Sequence, residues 1–337
     1  MDRPGISPQI WRPPPATTAD VQPFGDLRVL PVPGEGTEDV LVGPDGRVFT
    51  GVVDGRVLAV SPDGRVSDVV GDTGGRPLGL EWHPDGWLVV CDALRGLLRL
   101  DPDDGHVDEL VTSFDGERLL FCNNAAVADD GTIYFSDSSR RFPIEYWRAD
   151  LLEHSATGRL LRRDPNGRVD LLADDLAFSN GVALTADGQS IVVAETAAYR
   201  LRRYQLSGAD AGRLDDFVDG LAGFPDNIAS GSDDLIWVAL ASDRNALLDR
   251  MLPLPGILRK AAWRLPDALQ PKPSREFSVH AYDDTGRRTY AFRGRHPSFR
   301  MATGVREHAG TVWLGSLEES AIAAFELSGS APDGSPT

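Results

Sequence analysis

The sequence predicts an all-β fold, a six-bladed β-propeller of four-stranded blades. Two observations predict it. Short runs rich in Val, Leu, Ile and Phe alternate with Asp/Gly turns along most of the chain, and helix-like periodicity is confined to one stretch near residues 245–269. The turns also recur in register, at Gly46, Gly86, Gly131, Gly188, Asp234 and Gly310, with steps of 40, 45, 57, 46 and 76 residues. Three of these steps suit one four-stranded blade, and the two longer ones imply insertions.

The blades follow in order. The first reads VLVGPDGRVFTGVVDGRVLAVSPDGRVSDVVGD, four apolar runs punctuated by DG turns. The second runs from LGLEWHPDG to DELVTS, and the third from AAVADDG to LLADDL with a detour after FSDSS. The fourth spans VALTADGQS to VDGL, and the fifth starts at IASGSDD and carries a long insert. The sixth stops one strand short. The missing strand is expected near Phe24–Pro33, where FGDLRVLPVP would pair with the last blade and close the ring. The expected organisation is an extended arm over 1–20, one propeller over 21–328 and a disordered tail over 329–337. The partly helical insert, about 241–275, is a candidate lid with Met251, Leu254, Leu258 and Trp263 facing a pocket.

With 337 residues, 41% hydrophobic and 25% charged, the chain is long enough to bury a large core. Its net charge of −17 argues against nucleic acid or an anionic membrane as partner. No apolar run is long enough for a signal peptide or a span. Cys91 and Cys122 read as buried free thiols, which fits a cytoplasmic location.

The chemistry lies eight residues before each turn. That slot holds Glu38, Leu78, Asn123, Asn180, Asp226 and Ala302. In a propeller the first strand of each blade lines the central channel, so the four polar residues converge on one face. Two carboxylates held so close repel and raise each other's pKa unless a cation joins them. Carboxylate and amide oxygens without sulfur or nitrogen suit calcium, or another hard divalent cation. Asp92, Asp137 and Glu195, six or seven residues after their turn glycines, read as strand ends and candidate second-layer partners. Asn124 and Asn227 should point away from the slots by strand alternation.

The segments FCNNAAVADDGTIYFSDSS, TGRLLRRDP, FSNGVAL, ETAAYRLRRYQLSG and GFPDNI, in this order, resemble strictosidine synthase-like proteins within the gluconolactonase-type six-bladed propellers. The resemblance covers about residues 36–327. It implies a divalent cation, usually calcium, held by Glu38, Asn123, Asn180 and Asp226, and hydrolysis of lactones, aryl esters or organophosphates. Strictosidine synthase instead condenses an amine with an aldehyde through a glutamate of the last blade. Aligning on Glu307-His308-Ala309-Gly310 places Thr303 at that position, which counts against condensation, with Glu307 the nearest acid.

The expected function is therefore calcium-dependent hydrolysis of a lactone or related ester, a small-molecule substrate, with Asp226 as nucleophile or general base. Phe121, Tyr146, Trp147, Phe224, Phe299 and Met301 are the expected pocket residues. Alternatives are a condensing or cyclising enzyme and a non-catalytic propeller with structural calcium.

Overall fold

The computed structural model describes residues 3–17, 20–266, 270 and 273–327; the expected tail at 329–337 lies outside them. Six four-stranded antiparallel sheets form the ring. Their innermost strands are Leu41–Val42, Pro77–Trp82, Cys122–Val127, Ser179–Leu184, Gly223–Ser230 and Ala302–His308. The last sheet is completed by the N-terminal strand Arg28–Pro31, which pairs antiparallel with Ala321–Ala324. The ring closes as the missing strand predicts, and the sixth blade reaches the same four strands as the others. Val29 and Leu30 pack into the cores on either side of this closure.

Apolar residues of neighbouring blades pack face to face. The second blade's Val89 and Leu97 meet the third blade's Phe135 and Leu161, and the same layering recurs around the ring. Cys91 and Cys122 lie in one of these layers as buried free thiols.

Five of the six inner strands carry an irregularity at one place. Their register shifts between Pro77 and Leu80, Cys122 and Ala125, Ser179 and Val182, Pro225 and Ile228, and Ala302 and Val305. Each bulge opposes two successive residues to one on the neighbouring strand and turns the first of them toward the axis. The bulged pairs are Leu78-Gly79, Asn123-Asn124, Asn180-Gly181, Asp226-Asn227 and Thr303-Gly304. In the first blade Glu38 and Asp39 precede the short strand and take the same place.

This placement corrects one expected slot. The sixth is Thr303, not Ala302. The last hairpin turns through two residues, Ala309 and Gly310, where the other inner hairpins use five or six, and its inner strand runs one residue further past the slot, so counting eight back from the glycine overshoots the slot by one residue.

Two detours rise above the ring at the slot end. The third blade contributes a single 3-10 turn, Ile144–Tyr146, and helix α1, Trp147–Glu153. The fifth blade's insert carries helices α2, Ala246–Met251, and α3, Ile257–Trp263. Asn245 starts α2, its side chain accepting from the Leu247 and Leu248 amides. The buried Arg259 holds the detours to the N-terminal arm, donating to the carbonyls of Leu152, Gln9 and Leu252.

Candidate active site

A cavity of about 570 Å³ opens at the slot end of the channel. Glu38, Asn123, Asn180 and Asp226 all line it, with Thr196 and Thr303. Its walls are largely apolar and include Leu78, Phe121, Phe178 and Phe224 from the blades, Trp147 and Leu151 from α1, and Met251 from the insert.

The two asparagines are tethered through their nitrogens. Asn123 Nδ2 donates to Ser138 Oγ at 2.9 Å. Asn180 Nδ2 donates to Thr196 Oγ1 at 3.1 Å and to Asp226 Oδ1 at 2.8 Å. The amide oxygens of both are buried and have no hydrogen-bond partner. Bare buried oxygens are costly unless something else satisfies them.

The carboxyls are strained electrostatically. Burial, with Asp226 and Asp39 nearby, holds Glu38 well above the usual carboxylate range, against a hydrogen bond from Asn227. Burial pushes Asp226 up to about 7, although Asn180 donates to it. Asp39, one layer deeper, is raised to about 6 by burial against the attraction of Arg306. It accepts from the amides of Val40 and Leu80.

A buried Glu38, a half-buried Asp226 and two unpartnered amide oxygens form an oxygen-only donor set, which fits a hard divalent cation such as calcium. Among the described residues no group of three or more His, Cys, Asp and Glu side chains could hold a metal ion, and this site too has only two such side chains, with amide oxygens completing the set. None of the six histidines lines the cavity.

Ser138 and Thr196 escape the eight-residue count, because they sit at the end of the second strand rather than the start of the first. Each also donates to the next blade, Ser138 Oγ to the Ser179 carbonyl at 2.6 Å and Thr196 Oγ1 to the Pro225 carbonyl at 2.6 Å. One hydroxyl thus fixes an asparagine and the backbone beside the following slot. The available signal is a hydroxyl directly after an acid, Asp137-Ser138 and Glu195-Thr196, in the two blades whose slot is Asn.

The acids themselves hold backbone. Asp92 accepts from the Leu94 and Arg95 amides, Asp137 from the Phe121 amide and Arg159, and Glu195 from the Ala177 amide and Arg200. Asn124 Oδ1 accepts from the Val182 amide and Asn227 donates to Glu38, so both serve the layer below the slots.

Phe121, Trp147, Phe224 and Met301 line the cavity; Tyr146 and Phe299 do not. Phe299 is fully buried in the core between the fifth and sixth blades, edge-on to Phe277. Tyr146 packs beside Ile6, Phe142, Ala149 and Trp263 under the arm. Of the insert residues expected to face the pocket, Met251 does so. Leu254 and Leu258 are exposed, and Trp263 is buried with its Nε1 donating to the Pro4 carbonyl.

Comparison with known proteins follows this geometry. The family description "Strictosidine synthase" matches residues 123–209, and "Strictosidine synthase-like, N-terminal" matches 25–60. The adipocyte plasma membrane-associated protein of Salmo salar is 33% identical over 323 residues, covering 86% of this chain and 77% of that protein. The chain belongs to the strictosidine synthase-like family.

Strictosidine synthase-like protein 6 of Arabidopsis thaliana is 37% identical over 230 residues, covering 66% of this chain and 61% of the relative. Among solved structures, a gluconolactonase from Xanthomonas campestris superimposes with a TM-score of 0.65 at 20% identity, covering 96% of this chain and 99% of the other. The calcium-binding protein regucalcin from Agrobacterium tumefaciens gives 0.64 at 15% identity, covering 92% and 96%. These two likenesses are of fold. In this strictosidine synthase-like chain, Thr303 lines the cavity and its hydroxyl donates to the Glu38 carbonyl at 2.7 Å. Glu307 is at the far end of the same strand, where it holds Ser232 and the Gly310 amide away from the cavity.

Proposed function

We propose that the protein is a metal-dependent hydrolase that opens a lactone or related ester with an apolar body, and that calcium is its cation. The observation that supports this most is the pair of unpartnered asparagine oxygens beside the carboxyls of buried Glu38 and half-buried Asp226, on the floor of an apolar cavity. The fold shared with proteins described as a gluconolactonase and as calcium-binding regucalcin agrees with this reading.

Glu38, Asn123, Asn180 and Asp226 would hold the cation through oxygen. Once bound, it would polarise the scissile carbonyl and stabilise the developing negative charge. Ser138 and Thr196 keep the asparagine oxygens presented, which saves reorganisation when the site fills. Asp226 either takes a proton from the attacking water or attacks the carbonyl itself. The apolar walls hold the substrate's body and exclude bulk water. Thr303 offers a hydroxyl where condensation would need a carboxylic acid.

The test is a hydrolysis screen over alkyl lactones, aryl esters and phosphotriesters, before and after chelation. Activity that needs calcium, and falls at least about a hundredfold in Asp226→Ala, is expected. Activity indifferent to chelation, or unchanged in Asp226→Ala, would sink the proposal.

A further inference from the structure

We propose that the fifth-blade insert, with the N-terminal arm beside it, docks the molecule on an anionic lipid surface, the cavity mouth facing the lipid. The surface is apolar where it should be polar. Ile257 is 72% exposed, Ile10 70%, Leu247 52%, Leu258 48%, Leu254 42% and Leu265 39%. These are half of the large apolar side chains strongly exposed among the described residues, gathered on two short segments. Clustered exposed apolar groups mark an interaction surface, whereas scattered ones do not.

Helix α3 shows how the sequence builds this face. Arg259 and Trp263, four residues apart, turn inward and are buried. Ile257, Leu258, Lys260 and Arg264 are left outward. Leu247 and Leu265 are exposed and also line the cavity, so the apolar surface runs without a break into its mouth. A shallow groove formed by Pro8, Gln9, Ile257 and Lys260 joins the arm to α3.

Charge selects the partner. Residues 244–275 hold seven arginines and lysines against two aspartates, a local charge of +5, and they contain both lysines of the chain; Arg259 is buried and Arg244 pairs with Asp249, which leaves Arg250, Lys260, Arg264 and Arg275 as its exposed cations among the described residues. The rest of the molecule then carries −22 against the overall −17. Asp249, the acid on α2, is engaged by Arg244 and Tyr199. Exposed aliphatics beside exposed cations form an interfacial surface for anionic headgroups, and the acidic remainder turns this face toward them. The overall charge argued against such a partner; its distribution reverses that argument. No helix among the described residues is long and apolar enough to cross a membrane, so the contact proposed is peripheral.

The full chain should be sedimented with phosphatidylcholine vesicles and with phosphatidylcholine vesicles containing phosphatidylserine, at low and raised salt. Binding to the serine-containing vesicles, weakened by salt, is expected. The double variant Lys260→Gln, Arg264→Gln should lose about thirtyfold in partitioning, and Ile257→Ser, Leu258→Ser should lose it as well. Both variants should melt like wild type, which separates lost docking from lost folding. Equal binding to both vesicle types, no binding to either, or a dimer seen by light scattering that the same substitutions break, would overturn the proposal. The last result would make a second copy the occupant. None of these readings depends on whether the cavity hydrolyses an ester.

Discussion

At Asn180 the amide nitrogen makes two hydrogen bonds while the buried oxygen makes none, so one side chain is both locked and unfinished. Asn180→Leu removes that oxygen together with both donated hydrogen bonds, so the metal-free chain should melt several degrees lower. The substitution should also abolish the stabilisation that saturating calcium is expected to produce, about 2.7 kcal/mol at a hundredfold excess over Kd. Thermal scans with calcium and with chelator read both. His154 carries a separate prediction. It stacks on Trp11 of the arm at 4.3 Å, and burial, with Arg259 and Arg200 nearby, depresses it to about 4. Its unfolded value is about 6.5, so the neutral ring favours the folded state above that pH. This stability is lost as pH falls from about 6.5 toward 4. Melting temperatures across that window should fall less steeply in His154→Phe than in wild type. The four slot residues were legible because they share a register. Ser138 and Thr196 were not, since a hydroxyl at a strand end usually means only a turn.

The repeating element of the ring is a bulge whose second residue alternates between polar and glycine: Asp39, Gly79, Asn124, Gly181, Asn227 and Gly304. Each glycine accepts the polar bulge of the following blade. A Cβ on Gly79 would lie 2.7 Å from Asn124, one on Gly181 2.2 Å from the Ile228 nitrogen, and one on Gly304 2.7 Å from Asp39. Gly181→Ala should therefore destabilise by about 3 kcal/mol or more, since backbone faces the new methyl. Gly25→Ala, with open space around it, should change little. Denaturant midpoints of the two variants compare them directly. The alternation is visible in the sequence only once the bulges are known, because a regular strand would send these residues to the other face. The insert was legible as helical but not in its orientation. Trp263 turns inward because the arm supplies a carbonyl for its indole and Arg3 covers its ring, and the arm has no periodic pattern. The apolar wall of the cavity predicts substrate preference. Each methylene added to an alkyl lactone should raise kcat/KM by up to about fourfold until the cavity is full, from ~0.8 kcal/mol per buried CH2. Sugar lactones should be poor substrates by comparison.

For the whole molecule, closure by Arg28–Pro31 joins the two ends of the chain and covers the edge of the last blade. A chain starting after Pro33 should expose Ala321–Glu326 as a free, largely apolar edge and aggregate on expression. A soluble, cooperatively melting truncation would contradict that role. Closure was legible in the sequence because the sixth blade is one strand short and FGDLRVLPVP is one strand spare. The charge pattern was legible only in part, since the −17 total concealed a cationic insert whose place at the cavity mouth depends on tertiary packing. The central claim is that Glu38, Asn123, Asn180 and Asp226 form one cation site. Calorimetric titration of calcium into the chelator-treated chain tests it most directly. One ion per chain, with binding lost in a folded Asn180→Leu variant, is the predicted result; no binding, or binding unchanged in that variant, would contradict it.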